Sequence, residues 1–277
     1  MRSPAEVLHQ LARPERTLAD LPLLLVVAHP DDEVLGLGSR LPRLRGLHIA
    51  FATDGAPRDM ADARNLGFAT REAYGAARTH EADEALAMLD VGRERVHRLG
   101  FVDQELALRL DDLVDRCAGL IAELRPATVI THAYEGGHPD HDTLALAVRL
   151  ACHRQLERDQ SEPGVVEFAG YHDPDGSGRL VTGTFLPASV PTVTLRLSPT
   201  ERTRKRQAMA CYRTQAQVLR LFCPDREPLR VAPRYRFAAP PHPWPPFYEH
   251  FVRGLDGARW RKLAQRALER SGMMDLP

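Results

Sequence analysis

The sequence predicts an α/β fold in which helices cover both faces of a mostly parallel sheet, and three observations carry that prediction. Leu23 to Ala28, LLLVVA, is a short unbroken apolar run between Pro22 and His29-Pro30, the pattern of a strand covered on both faces. Weaker versions of it recur at Leu47 to Ala52, Val96 to Gly100 and Thr128 to Thr131. The intervals between them carry helical periodicity. Leu113, Cys117, Leu120, Ile121 and Leu124 share one face before Pro126 stops the run, and Leu144, Ala147, Val148, Ala151 and Cys152 form a second apolar stripe. Strands alternating with helices imply parallel pairing through right-handed crossovers. At 277 residues the chain is near the upper end of what one core serves, so one domain with additions is expected.

Composition excludes several function classes. The 37 basic and 37 acidic residues cancel, which leaves no whole-chain field to gather nucleic acid or an anionic membrane and favours a small neutral or zwitterionic ligand. Only Lys205 and Lys262 are lysine, so the arginine-rich run Arg202 to Arg206 reads as a solvated helix face. Cys117, Cys152, Cys211 and Cys223 are widely spaced with no Cys-x-x-Cys pair, the usage of reduced, mostly buried thiols. No segment has the roughly 18 apolar residues of a membrane span, and Glu6, Glu15 and Asp20 break any signal-peptide pattern, so a cytoplasmic protein is expected.

Charge at the end of the first strand needs an explanation. His29-Pro30-Asp31-Asp32-Glu33 falls at the carboxyl end of a buried strand, where open parallel sheets bind their ligands. Unpaired carboxylates there are costly, and a divalent metal is among the few partners able to hold several together. A second cluster, THAYEGGHPDHD from Thr131 to Asp142, follows the strand at Thr128 and opens the helix near Asp140. Taken alone, the first cluster is a strand end with a helix N-cap and dipole-stabilising acids; two His-Pro-Asp clusters in the same structural position favour a site.

AHPDDEVLG followed by GHPDHD resembles the PIG-L or LmbE-like family of metal-dependent N-acetylglucosamine deacetylases. ATDG at Ala52 to Gly55, RTHEADEALAMLDV at Arg78 to Val91, LGFVDQEL at Leu99 to Leu106 and KRQAMACYRTQ at Lys205 to Gln215 extend the resemblance over most of residues 20 to 220. It implies a Rossmann-like three-layer sandwich, a deacetylase domain over residues 1–220, and a C-terminal extension over 221–277 packed on the same domain. Within the extension, APRYRFAAPPHPWPPFY from Ala232 to Tyr248 reads as a polyproline arm.

By position, the resemblance makes His29, Asp32 and His141 metal ligands, Asp31 the general base, and His138 the donor to the tetrahedral oxyanion, oriented by Asp140. It also suggests that Arg78 and Asp103 face the sugar, with Arg71 as the alternative to Arg78. The chemistry agrees: two imidazoles and a carboxylate leave an open position on Zn2+, with Fe2+ or another divalent ion possible. Asp31, beside a ligand, can take a proton from water whose pKa the metal lowers. His141 sits in a first helical turn, whose positive end disfavours imidazolium. Gly136 and Gly137 are expected to let the backbone approach a ligand beside His138, and one of Asp140 and Asp142 to cap the helix. His132 reads as a satisfied core residue, Tyr212 as core with Gln215 exposed, and Ala56 to Arg78 as a long loop.

The activity implied is removal of acetyl from an amino sugar in a glycoconjugate or small glycoside, or amide cleavage on a bulkier conjugate by the same machinery. A non-haem Fe(II) oxygenase shares the two-histidine, one-carboxylate set but has no use for Asp31 as a base. A dinucleotide-binding reading rests on Gly36-x-Gly38 and Asp54; its glycines come too late after the strand and Leu41 replaces the third. Two departures from the family pattern stand out. Gly136 occupies a position where some members carry tyrosine, so any phenol must come from Tyr134 or elsewhere, and the glycine pair after the first motif is here Gly38-Ser39.

Overall fold

The computed structural model describes residues 3–13, 21–156 and 161–273. Its strands are β1 (Leu23–Val27), β2 (Leu47–Thr53), β3 (Val96–Phe101), β4 (Thr128–His132), β5 (Gly164–Phe168), β6 (Tyr171–His172), β7 (Val181–Thr182), β8 (Thr192–Arg196) and β9 (Arg226–Val231). Its helices are α1 (Pro4–Leu11), α2 (Asp32–Leu37), α3 (Ala61–Asn65), α4 (Arg71–Met88), α5 (Leu110–Leu124), α6 (Pro139–His153), α7 (Pro199–Cys211), α8 (Ala216–Leu219) and α9 (Gly257–Arg270). The four strands expected from the sequence are β1 to β4.

Seven strands form one sheet in the order β3-β2-β1-β4-β5-β9-β8. The run from β3 to β5 is parallel, while β9 pairs antiparallel with both β5 and β8. Each residue of β1 is buried, and its two faces feed different cores. Leu24 and Val26 pack with α5, α6 and α9, whereas Leu23, Leu25 and Val27 pack with α1, α2, α4 and α7. Strand order reverses beside β1: the chain runs outward to β2 and β3, then returns to β4 on the other side. The crevice this leaves at the carboxyl ends of β1 and β4 is where both His-Pro-Asp clusters emerge.

β9 lies beyond residue 220 and is an inner strand between β5 and β8, so the chain on either side of that point shares one sheet. Phe237, Tyr248, Val252 and Trp260, farther along, enter the same core as α5 and α6, and Trp260 Nε1 donates to Thr143 Oγ1 at 2.9 Å. Three expectations change. Arg71 to Arg78 is the first half of α4 and not loop. Gln215 is buried, because its amide donates to Tyr74 Oη at 2.8 Å. Lys205 is buried against Glu227 at 2.8 Å, although its neighbours Arg202, Arg204 and Arg206 form the surface ion pairs of a solvated face. Cys117 and Cys152 are buried, Cys211 is half-buried and Cys223 exposed.

Candidate active site

The end of β1 is tied on both sides before the first motif begins. Thr53 donates to the Ala28 carbonyl through its backbone N–H and its hydroxyl, both at 2.9 Å, and the Ala28 N–H donates to His132 Nε2 at 3.0 Å. The His132 nitrogen that faces the site therefore accepts a backbone proton, while its buried Nδ1 has no hydrogen-bond partner, so the ring is not the fully satisfied core residue expected.

Asp31 then adopts φ 130°, a conformation costly for any residue with a side chain. Surrounding groups over-determine it. Its N–H donates to Glu33 Oε2 at 3.0 Å, Tyr212 Oη donates to Glu33 Oε1, and Arg78 Nη2 donates to Asp31 Oδ2 at 3.0 Å and to the Pro30 carbonyl at 2.8 Å. Burial raises the Asp31 pKa well above the usual carboxylate range, against the pull of Arg78. Burial likewise pushes Glu33 up to about 7. Arg78, on α4, is thus bound to the Asp31 carboxylate and to backbone, with its Nη1 donating to the Gly55 carbonyl. Arg71 pairs instead with Asp54 at 2.5 Å.

Asp32 turns the opposite way. Its Oδ2 accepts the His29 N–H at 2.9 Å and lies 3.3 Å from His29 Nδ1, 3.5 Å from His141 Nε2 and 3.5 Å from His132 Nε2. Burial alone would raise its pKa, but His141 and His132 outweigh that and hold it well below the usual range. Asp103, in the loop after β3, sits with Oδ1 3.0 Å from His29 Nε2. Burial would raise Asp103 as well; His29, His138 and Arg78 leave it strongly acidic.

His138 caps α6. Its Nδ1 accepts the Asp140 N–H at 3.2 Å, so neither aspartate of the second motif is the N-cap. A ring nitrogen that accepts a backbone proton carries none itself, so the neutral ring bears its proton on Nε2, which faces the cleft. Burial first, then His29 and His141, keep the His138 pKa well below normal. Asp140 therefore orients His138 through its backbone; its carboxylate has another task. It accepts from the N–H groups of Gln104 at 2.7 Å and Leu106 at 3.2 Å, pinning the loop that carries Asp103, and lies 3.4 Å from His29 Nε2.

The glycine pair is held in close packing. A Cβ on Gly137 would stand 1.9 Å from the Tyr171 carbonyl, and Gly136, at φ 72°, faces the His242 ring. Gly137→Ala is expected to destabilise by about 1–3 kcal/mol, the cost of overpacking a fixed backbone, and to displace the adjacent His138. Urea denaturation with parallel turnover checks this; an unchanged midpoint would remove the constraint. Asp142 Oδ1 accepts from the N–H groups of Glu135 and Gly136, holding the same loop.

Burial pushes the Asp142 carboxyl up to about 8 from its ordinary 3.8. Between those values the native state keeps a proton that the unfolded chain releases, so stability contributed by this group falls as pH rises through that window. Asp142→Asn is expected to flatten that slope. Urea unfolding at several pH values between about 4 and 8 measures it, and parallel slopes for both proteins would refute the assignment.

Among the described residues the centre gathers four buried carboxylates, Asp31, Asp32, Asp103 and Asp140, against one buried guanidinium, Arg78. His141 Nε2 is buried without a hydrogen-bond partner. Carboxylate oxygens converging on an orphaned imidazole nitrogen fit a divalent cation. Donor atoms within 4.8 Å of one another occur in three overlapping groups: His29, His138 and His141; His29, Asp103, His138 and Asp140; and Asp32, His132 and His141. The backbone protons accepted by His132 and His138 argue against those two as ligands, which leaves His29, Asp32, Asp103, Asp140 and His141 as the donors of these groups.

The cleft above has a volume of about 380 Å3 and meets His29, Asp31, Asp32, Arg78, Asp103, His138 and His141 at its floor. Tyr171, which no sequence signal marked, stands edge-on to the His141 ring at 5.4 Å and supplies a phenol to this cleft. Tyr134 does not, because its hydroxyl donates to the Ala239 carbonyl and its ring stacks on Trp260. Gly36 lies against the Phe168 ring, a helix-to-sheet contact with no room for a dinucleotide.

Comparison with known proteins places these observations. Residues 24–152 match the family described as PIG-L: GlcNAc-PI de-N-acetylase. A probable N-acetyl-alpha-D-glucosaminyl L-malate deacetylase 2 of Bacillus subtilis is 30% identical over 145 residues, 50% of this chain and 63% of that protein. A 1D-myo-inositol 2-acetamido-2-deoxy-alpha-D-glucopyranoside deacetylase of Rhodococcus jostii is 32% identical over 143 residues, 43% of this chain and 49% of that protein. The chain thus spans less than two thirds of the length of either curated relative. The crystal structure of a deacetylase-bog complex in the biosynthesis pathway of teicoplanin superposes with a TM-score of 0.58 at 21% identity, covering 75% of this chain and 96% of that one, which shows a shared fold. No helix among the described residues is long and apolar enough to cross a membrane.

Proposed function

Because residues 24–152 match the PIG-L family, we propose that this protein is a metal-dependent hydrolase that removes the acetyl group from an N-acetylglucosamine-type amino sugar. The observation that carries the reading is the meeting, at the β1–β4 crevice, of an acid-rich donor cluster with a non-ligating carboxylate on one side and an imidazole donor on the other. His29, Asp32 and His141 hold the cation, for which Zn2+ is the first choice and Fe2+ or another divalent ion the alternative. A bound cation supplies Lewis-acid polarisation of the acyl oxygen and of water.

The protein's own groups do the rest. Asp31, buried and raised in pKa, accepts the proton of the attacking water and delivers it to the departing sugar nitrogen. Arg78 fixes the Asp31 carboxylate, and is placed to position the base more than to bind sugar. His138 Nε2–H donates to the oxyanion as a neutral imidazole, so it keeps its donating form as pH rises. Asp103, 3.0 Å from His29 Nε2, orients that ring and offers its other oxygen to sugar hydroxyls. The test is acetate release from a panel of N-acetylglucosaminyl compounds by protein of measured metal content. Release that is lost on chelation and restored by Zn2+ is expected; a panel with no release from the metal-loaded protein would defeat the proposal.

A further inference from the structure

The cleft has two halves of different chemistry. Its charged floor comes from residues 29 to 141, inside the matched segment 24–152, with Tyr171 and Gln215 added from outside it. Its mouth is mainly Leu180, Val218, Leu221, Phe222, Phe247 and Phe251, all outside that segment, with the exposed carboxylate of Asp62 beside them from inside it. Of the seven large apolar side chains that stand most exposed among the described residues, Val218 at 46%, Leu221 at 58% and Phe251 at 39% line this one cleft. Single exposed apolar residues are ordinary, whereas a contiguous set opening onto a reactive floor marks a binding surface.

The set is built from three segments that meet only in the tertiary structure. Leu180 precedes β7, Val218 to Phe222 belong to and follow α8, Phe247 lies at the end of the proline-rich arm and Phe251 just beyond it. Tyr171 links them, with its ring against Phe222 at 6.1 Å and Phe247 at 6.5 Å. Phe251 stands 5.6 Å from His138, so the apolar wall begins at the reactive centre and runs outward. A polar aglycone would leave these side chains in water. We propose that the mouth is a subsite for an apolar group carried by the amino-sugar substrate, an alkyl or aryl chain attached either at the anomeric oxygen or through the amide. This rests on the deacetylase reading for its floor, and on the mouth residues alone for its apolar specificity.

Each methylene fully removed from water contributes about 0.8 kcal/mol, a factor of about four. In a half-open cleft, octyl N-acetylglucosaminide is expected to show kcat/KM roughly 10- to 100-fold above the methyl glycoside, measured by release of free amine. Methyl N-octanoylglucosaminide forms the second arm: a gain there instead assigns the chain to the acyl side. Val218→Ser and Leu221→Ser, at exposed positions, are expected to bring the ratio toward one, while Leu108→Ser, exposed elsewhere, leaves it unchanged. Equal kcat/KM for octyl, octanoyl and methyl compounds would overturn the proposal. Saturation-transfer NMR with octyl glucoside and methyl glucoside, neither of which carries an amide, separates the two readings. Octyl-selective binding lost in Leu221→Ser, together with no amine release from any compound, upholds the subsite and defeats the deacetylase; absence of octyl-selective binding defeats the subsite itself.

Discussion

Asp31→Asn is expected to lower kcat by roughly 10²- to 10⁴-fold while the protein keeps its metal. The substitution preserves shape and leaves Arg78 its bonds to the Pro30 and Gly55 carbonyls, so the guanidinium is not stranded. It also suits the backbone, since asparagine tolerates positive φ better than most residues and position 31 stands at 130°. What disappears is the ability to take a proton. Turnover and elemental analysis on the same preparation read the two effects separately. A metal-free variant would make Asp31 a ligand, and one with full activity would move the base elsewhere. The acid limb of the kcat/KM profile is expected to vanish with the carboxylate.

Asp32→Ala is expected to behave in the opposite sense, losing metal and stability together. Its Oδ2 is the point where His29, His132 and His141 converge, and its removal leaves the His29 N–H without its acceptor as well. A cation present at 100 times its Kd stabilises the native state by about 2.7 kcal/mol, all of which the variant forfeits. Calorimetry with and without a chelator checks this. The wild-type Tm is expected to fall on chelation and recover with added Zn2+, whereas the variant is expected to be indifferent to both. A variant whose Tm still follows the metal would remove Asp32 from the ligand set.

The relation between sequence and structure is clearest in the two His-Pro-Asp motifs. Both were legible because their chemistry is local: a buried apolar strand must end, and the residues at its carboxyl end inherit the crevice that parallel topology creates. The strands β1 to β4 and the helices α5 and α6 followed from periodicity for the same reason, since burial on one or two faces writes itself into neighbouring residues. The roles of Asp31, Asp32, His29, His138 and His141 came from the resemblance, and the geometry around them is compatible with each.

What only the tertiary structure decided is everything that depends on residues far apart in the chain. That β9 lies inside the sheet is a matter of pairing partners, which EPLR carries no sign of. Asp140 holding the Gln104–Leu106 backbone, Gly137 yielding to the Tyr171 carbonyl, and Tyr171 facing His141 each join segments whose spacing follows no period. The apolar mouth belongs to the same class. Leu180, Leu221 and Phe251 resemble ordinary core residues in sequence, because hydrophobicity alone does not tell whether a side chain will find neighbours to cover it. By itself the sequence determined where the candidate site forms; the packing of distant segments decided what surrounds it, since long-range contacts are selected by shape and burial and leave no local pattern.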